Sequence, residues 1–210
     1  MTTNRKLVVG ILVFPGFATL DIAGPLQFFE QLEDGIETVL IAREAGTLYS
    51  RPPAGGCPIV ASYAFASAPA LDVLLVPGGK GCRSLFHDAA YQDFIKYHSS
   101  RVQYVLSVCT GSGFLAACGL LDGKRATTNK VAFREIQMLG DGRVQWIKHA
   151  RWVVDGNIWT SSGVTAGMDM VCAFLTSLFG PDRLQQILNV IEYTPAIDAG
   201  NDPFAFLAES

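Results

Sequence analysis

The sequence predicts an α/β fold with a mostly parallel sheet sandwiched between helices, and two observations lead to this class. Continuous apolar, β-branched runs such as Leu7–Phe14 and Val102–Val108 are typical of strands that are buried on both faces. Segments with helical periodicity alternate with these runs, and such alternation favours a parallel sheet covered by helices. Because there is no repeat, low-complexity tract or linker, residues 1–210 are predicted to form a single domain.

The composition of the chain indicates extensive burial and excludes disorder. Hydrophobic residues make up 50% of the sequence and charged residues only 17%, against about 25% in an average soluble protein. This low charge favours a homodimer as well as a well-covered sheet. The net charge is −3 without any run of Lys and Arg, so we expect no nucleic-acid partner. We also expect no membrane span, since no apolar run approaches roughly 18 residues.

The elements follow one another in an alternating order. The predicted strands are Leu7–Phe14, Thr38–Ala42, Asp72–Pro77, Val102–Val108, Arg151–Val154 and Asn157–Thr160. The last two are joined through Asp155-Gly156, which is a hairpin signal. The predicted helices are Leu20–Leu32, Ala89–Ser99, Thr110–Leu121, Val131–Leu139, Val164–Phe179 and a last one that Pro181 opens. The first run could also be the core of a signal peptide, but a buried strand explains it better.

Three of the predicted buried strands end in turns that carry glycine or a reactive residue. These turns are residues 15–24, 77–82 and 107–113. In open α/β sheets the ligand site lies beyond the carboxyl ends of the strands. The sequence therefore predicts a small-molecule site where the three turns meet.

Cys109 is the candidate nucleophile in the third turn. It stands between a buried strand and an apolar helix, which is similar to a nucleophile elbow. The helix N-terminus favours a thiolate, and its free N–H groups, beginning with that of Thr110, can bind a developing negative charge. We therefore predict a thiol pKa below the roughly 8.5 of free cysteine. The alternative is that Cys109 is only a small buried apolar residue.

The other cysteines do not form a recognisable metal or disulfide pattern. Cys118 and Cys172 are predicted to lie in the core, whereas the roles of Cys57 and Cys82 stay open. The five cysteines contain no CxxC pair, and the three histidines offer no zinc spacing. We therefore expect no metal, and a reducing cytoplasmic location.

The first two turns supply further candidates. Gly78-Gly79 lets the backbone approach a ligand and offers an N–H donor opposite Thr110. Asp21 is a candidate acid/base, since an apolar aromatic surround would raise its pKa. The alternative is that Asp21 only complements the dipole of the first helix.

Several motifs resemble the DJ-1/PfpI superfamily. They are the buried first strand, LDIAGP at 20–25, VPGG at 76–79, SVCTGSG at 107–113, GLLDGKRATT at 119–128 and GVTAGMD at 163–169. The Asp of the LDIAGP motif and the Thr after the Cys look most like the isonitrile hydratase branch. The same segments also resemble the sensor half of AraC-type regulators, but we expect no helix-turn-helix domain in this chain.

The resemblance implies a flavodoxin-like, class I glutamine amidotransferase-like fold. It implies that Cys109 is the nucleophile, Asp21 its acidic partner, and the N–H groups of Gly79 and Thr110 the oxyanion-binding donors. Proteolytic relatives carry His directly after the Cys, and many members have His where Asn129 stands. A Cys–His dyad of that type is therefore absent, which disfavours peptidase and amidotransferase chemistry.

The leading functional hypothesis is the hydration of an organic isonitrile to an N-substituted formamide. It needs Cys109 and Asp21 and requires neither metal nor organic cofactor. His149, which we expect in a strand near the end of the domain, is not recruited. The alternatives are a glyoxalase-like or other thiol-dependent lyase or hydrolase, and a non-catalytic sensor of ligands or of oxidation at Cys109.

Overall fold

A computed structural model describes residues 5–209 of the protein. Its strands are β1 (Leu7–Leu12), β2 (Ile36–Ala42), β3 (Gly46–Arg51), β4 (Gly55–Ala61), β5 (Tyr63–Ala64), β6 (Val73–Val76), β7 (Tyr104–Ser107), β8 (Arg125–Ala126), β9 (Gln145–Trp146), β10 (Trp152–Asp155) and β11 (Ile158–Ser161). Its helices are α1 (Thr19–Phe29), α2 (Ala89–Ser99), α3 (Ser112–Ala117), α4 (Phe133–Gln137), α5 (Ala166–Phe179) and α6 (Pro181–Ile191). None of these described helices is long and apolar enough to cross a membrane.

The central sheet of the described residues contains seven strands in the order β10–β11–β7–β6–β1–β2–β5. Neighbouring strands run parallel except β10 and β11, which form an antiparallel hairpin around Asp155-Gly156. The predicted mostly parallel sheet and its terminal hairpin are thus confirmed. β1 lies in the interior of the sheet between β2 and β6, which explains its continuous apolar sequence.

Helices flank the sheet and bury its strands. α5 contacts both α1 and α6, and α3 contacts both α2 and α4. All four residues of β6 and of β11 are buried. Aromatic side chains join helices to sheet: Phe114 packs edge-on against Phe14 at 5.4 Å between ring centroids, and Phe174 against Trp159 at 5.4 Å. The burial expected from the composition is therefore realised on both faces of the sheet.

The structure differs from two local predictions: one helix is present but shorter than predicted, and one residue lies outside the strand predicted for it. The helix expected over Thr110–Leu121 is a single 3-10 turn, Cys109–Gly111, followed by the short α3. It ends early because Cys118 caps it and Gly119 takes a positive φ of 74°. His149 lies in an exposed bend between β9 and β10, not in a strand, and its carbonyl accepts a hydrogen bond of 2.8 Å from the Asp202 amide.

The hairpin formed by β3 and β4 lies outside the central sheet and was not expected. Its residues are mostly half-buried or exposed, so they lack the apolar run that marks the other strands. The amide of Gly16 donates a 2.9 Å hydrogen bond to the carbonyl of Tyr49, which attaches the hairpin to the loop after β1. This attachment brings Ser50 and Arg51 to the edge of the candidate site.

Candidate active site

The three predicted turns meet at the carboxyl ends of β1, β6 and β7, which are neighbours in the sheet. The Ala18 amide donates to the Gly78 carbonyl at 2.8 Å, which joins the first turn to the second. The Gly79 amide donates to Thr110 Oγ1 at 3.1 Å, which joins the second turn to the third. The chain leaves β1 for β2 on one side and returns to β6 on the other. The turns thus lie at a topological switch point, where ligands bind in folds of this kind.

Cys109 occupies a strained position between β7 and α3. Its φ is +58°, a left-handed conformation that costs a non-glycine residue about 1–2 kcal/mol. Three hydrogen bonds hold this conformation: the Cys109 amide donates to the Ser162 carbonyl at 3.1 Å, and its carbonyl accepts from Thr128 Oγ1 at 3.0 Å and Ser112 Oγ at 3.3 Å. The predicted elbow at this residue is confirmed. Thr128 was not predicted to support it, because nothing in its spacing points to Cys109.

Asp21 lies beside Cys109 and is completely buried. Its Oδ2 accepts a 2.9 Å hydrogen bond from the Gly78 amide, whereas Oδ1 has no hydrogen-bond partner within residues 5–209. Burial raises the pKa of Asp21 to about 7, although the Gly78 amide and the Cys109 thiol both lower it. The expected raised pKa is therefore confirmed, and this carboxyl can take up and release a proton near neutral pH.

The thiol of Cys109 behaves differently from the prediction. Burial and the Asp21 carboxylate raise its pKa to about 12, and these effects outweigh the backbone N–H groups of Val164 and Thr110, which face the sulfur and lower the pKa. The predicted low pKa is therefore wrong, because the thiol is buried beside a carboxyl instead of being open to solvent. The resting thiol therefore keeps its proton, with a carboxyl beside it to accept that proton.

Gly78 and Gly79 serve the site differently from the expectation. A side chain on Gly78 would place its Cβ 2.6 Å from the Thr110 nitrogen and 3.0 Å from Asp21 Oδ2, so only glycine fits there. The two amides already donate to Asp21 and to Thr110, and are not unpaired oxyanion donors. These two amides hold the Asp21 carboxyl and the turn that carries Cys109 in position.

Val164 is the residue at the sulfur that sequence reasoning missed. Its amide faces Cys109, and its φ of +29° is unusual for a β-branched residue. Nothing in the segment GVTAGMD marks this conformation. Together with the Thr110 amide, it is one of two backbone donors aimed at the sulfur.

All five cysteines are free thiols in the described residues. Cys82 is buried under the elbow, with its sulfur 2.8 Å from the Gly79 carbonyl and 3.2 Å from Thr110 Oγ1. Cys172 lies in the core as predicted, but Cys118 is only partly buried, because it caps the short α3. Cys57 is partly exposed in β4. Cys82 thus supports the turns of the site, which leaves Cys109 as the thiol at its surface.

A cavity of about 530 Å³ opens above Cys109. Its apolar lining includes Phe17, Val131 and Val164, and its cationic lining consists of Arg51, Lys80 and Arg83. Asn129, which stands where many relatives have His, also lines the cavity; its Oδ1 accepts a 3.0 Å hydrogen bond from the Ala132 amide. No His lines this cavity, and no group of three or more His, Cys, Asp or Glu within residues 5–209 could hold a metal ion.

A buried charge network lies behind the wall formed by residues 127–131 and 162–165. Arg151 contacts Asp169 at 2.6 Å and Asp202 at 3.7 Å, and Lys130 lies 3.7 Å from Asp202. Burial lowers the pKa of Lys130 to about 8. Asp169 also accepts a 2.6 Å hydrogen bond from the Tyr193 hydroxyl. The network therefore attaches the segment after α6 to the wall of the site.

Comparison with known proteins finds relatives in sequence and in fold. The sequence model described as the DJ-1/PfpI family matches residues 8–177. A protein named isonitrile hydratase from Pseudomonas putida is 36% identical over 197 residues, which cover 93% of this chain and 83% of that protein. The crystal structure of a ThiJ/PfpI family protein from Pseudomonas syringae is 30% identical with a TM-score of 0.82, over 92% of this chain and 78% of that one. Drosophila melanogaster DJ-1beta, at 17% identity, has the same fold with a TM-score of 0.77 over 90% of this chain and 100% of that one.

Proposed function

The chain belongs to the DJ-1/PfpI family, and from this premise we propose that it hydrates organic isonitriles to N-substituted formamides. The observation that carries the proposal is the buried pair of Asp21 and Cys109 below a cavity that no His lines. Isonitrile hydration needs one nucleophile and one group that carries a proton in both directions. The pair supplies both, and the similarity to a protein named isonitrile hydratase supports the same substrate class.

The first step joins the sulfur to the terminal carbon of the isonitrile, R–NC. In the reactive form Asp21 is ionised and the thiol carries its proton; Asp21 takes this proton from the sulfur and delivers it to the carbon as the carbon–sulfur bond forms. The product is a thioimidate, R–N=CH–S–Cys109, beside an Asp21 carboxylate. Asp21 is completely buried beside the sulfur, so it can exchange protons only with substrate atoms that lie next to the sulfur. A pKa of about 7 suits this carboxyl to both roles at neutral pH.

Water completes the reaction in a second step. Asp21 accepts a proton from water as the oxygen bonds to the thioimidate carbon, and it passes that proton to the imine nitrogen. The carbon–sulfur bond of the resulting adduct then breaks. The hydroxyl proton returns through Asp21 to the sulfur, and R–NH–CHO leaves. The amides of Thr110 and Val164 face the sulfur and stabilise the negative charge that it gains as it departs.

An assay of formamide release tests the proposal. A panel of alkyl and aryl isonitriles is incubated with the protein, and the formamides are quantified by liquid chromatography and mass spectrometry, with methylglyoxal as the substrate for the glyoxalase alternative. We expect formamide from at least one isonitrile and none with Cys109→Ala. Turnover of methylglyoxal alone, or equal formamide release by Cys109→Ala, would overturn the proposal.

We propose that the protein acts as a cytoplasmic homodimer. Its low charge content and the exposed side chains of Phe204 and Phe206 support a self-association surface. Light scattering on a gel-filtration column measures the mass directly. A single species at the 22.6 kDa of one chain would contradict the dimer.

A further inference from the structure

We infer that the preferred isonitriles carry a carboxylate, which Arg51 and Lys80 bind at the mouth of the cavity while the isonitrile carbon reaches Cys109. This inference rests on the proposed function, because it names the substrate class of the same site. It starts from the charges around the cavity: its lining contains Arg51, Lys80 and Arg83 but no Asp or Glu.

Two of these three cations have no anionic partner within residues 5–209. Arg83 is neutralised by Glu135, since the Nη2 and Oε2 atoms are 2.6 Å apart. Arg51 and Lys80 form no ion pair among the described residues, and both are exposed at the cavity. The chain as a whole is acidic, with a net charge of −3, so a local excess of positive charge is not explained by composition. The cavity is therefore a locally positive region of an acidic protein, and it attracts anionic ligands.

Separate parts of the fold bring these two cations to the same cavity. Lys80 directly follows the glycine pair that positions the elbow, so its backbone is fixed relative to Cys109. Arg51 ends β3, and the bond from the Gly16 amide to the Tyr49 carbonyl attaches that strand to the loop after β1. The hairpin, which contributes nothing to the central sheet, thereby supplies one charge to the cavity.

The apolar part of the cavity lining suits the rest of such a substrate. Phe17, Val131 and Val164 provide apolar contact for a hydrocarbon chain. A volume of about 530 Å³ lies within the roughly 300–1,000 Å³ of small-molecule sites. The planar guanidinium of Arg51 matches a carboxylate, and Lys80 adds a point charge. An isonitrile with a short chain that ends in a carboxylate matches the two cations, the apolar lining and the sulfur of Cys109.

The kinetic test compares 4-isocyanobutyrate with its methyl ester, which has the same isonitrile but no charge. We expect kcat/KM for the acid to exceed that for the ester by about tenfold at low ionic strength, and salt to reduce the difference. Arg51→Gln and Lys80→Gln should each reduce the ratio severalfold. Lys96→Gln on α2 removes the same charge from an exposed residue that does not line the cavity, so it should leave the ratio unchanged. Equal kcat/KM for acid and ester would overturn the inference while leaving the proposed function intact.

A second test does not depend on turnover. Iodoacetate and iodoacetamide alkylate the same sulfur through the same carbon and differ in charge, and peptide mass spectrometry gives both rates at Cys109. We expect the ratio of the iodoacetate rate to the iodoacetamide rate to fall severalfold in Lys80→Gln and Arg51→Gln, and to stay constant in Lys96→Gln. If no isonitrile is hydrated but the ratio falls, the proposed function fails and anion recognition stands. A ratio that does not change in the two cavity variants overturns anion recognition itself.

Discussion

The Gly78 amide donates a 2.9 Å hydrogen bond to Asp21 Oδ2, and this bond fixes the carboxyl beside Cys109. The other oxygen of Asp21 is left without a hydrogen-bond partner within residues 5–209 although it is fully buried. An ionised carboxylate in this environment is poorly stabilised, which explains why the pKa of Asp21 rises to about 7. The same arrangement makes this residue the most informative target for experiment.

Asp21→Asn should abolish most isonitrile hydration. The amide keeps the size of the side chain and can still accept from Gly78, but it transfers no proton. We expect kcat to fall about 10²–10⁴-fold, as for the loss of a general acid–base group. Asp34→Asn is a matched control, because Asp34 forms an exposed ion pair with Arg183. Parent-like turnover by Asp21→Asn would mean that the proton comes from another group.

The same substitution should change how stability depends on pH. Folding raises the pKa of Asp21 from 3.8 to about 7. Between about pH 4 and 7 the folded protein therefore holds a proton that the unfolded chain has lost. The free energy of unfolding of the parent therefore falls as the pH rises through this range. Each pKa unit corresponds to about 1.4 kcal/mol, so the loss amounts to several kcal/mol. Urea unfolding at several pH values should show this decline in the parent and not in Asp21→Asn.

The reactivity of Cys109 gives a third prediction. Because burial and the Asp21 carboxylate raise the thiol pKa to about 12, alkylation by iodoacetamide should still increase above pH 9. Removing the carboxylate in Asp21→Asn should lower the pKa of Cys109 and speed its alkylation at neutral pH. Rates at the Cys109 peptide, followed by mass spectrometry, measure both effects. A slower reaction in the variant would show that Asp21 promotes the thiolate instead.

The buried charge network predicts a large loss of stability. Asp169→Asn leaves Arg151 without its 2.6 Å partner, in a position that is only 7% exposed. Removing one member of such a pair typically costs about 3–5 kcal/mol. Tyr193→Phe removes a single hydrogen bond to Asp169 and should cost about 1–2 kcal/mol. Asp34→Asn, in an exposed pair, should stay within about 1 kcal/mol of the parent in urea unfolding.

The sequence alone predicts the sheet and the three turns because continuous apolar runs and glycines carry these features locally. Asp21 and Cys109 could be named for the same reason, since each stands at a turn of this kind. The prediction for the pKa of Cys109 is wrong, because its depth of burial and its place beside the Asp21 carboxyl depend on the whole fold.

Other parts of the site have no recognisable pattern in the sequence. Val164 acts through its backbone amide, so its side-chain type carries no information about this role. The partially exposed β3–β4 hairpin lacks a hydrophobic pattern, and its contribution of Arg51 appears only in three dimensions. Arg151 and Asp202 are 3.7 Å apart in the network but distant in the chain, and spacing does not reveal such pairs.

The hydrogen bonds that hold Cys109 in its strained conformation join it to Ser112, Thr128 and Ser162, which all follow it in the chain. A growing chain that does not yet contain Ser162 therefore lacks one of the bonds that hold Cys109 in this conformation. A nascent chain carries an accessible cysteine with the ordinary pKa of roughly 8.5, which makes it more reactive at neutral pH than the buried thiol of the finished protein. Folding therefore makes the thiol less reactive towards general electrophiles and oxidants at neutral pH, while the cavity above it still admits a substrate.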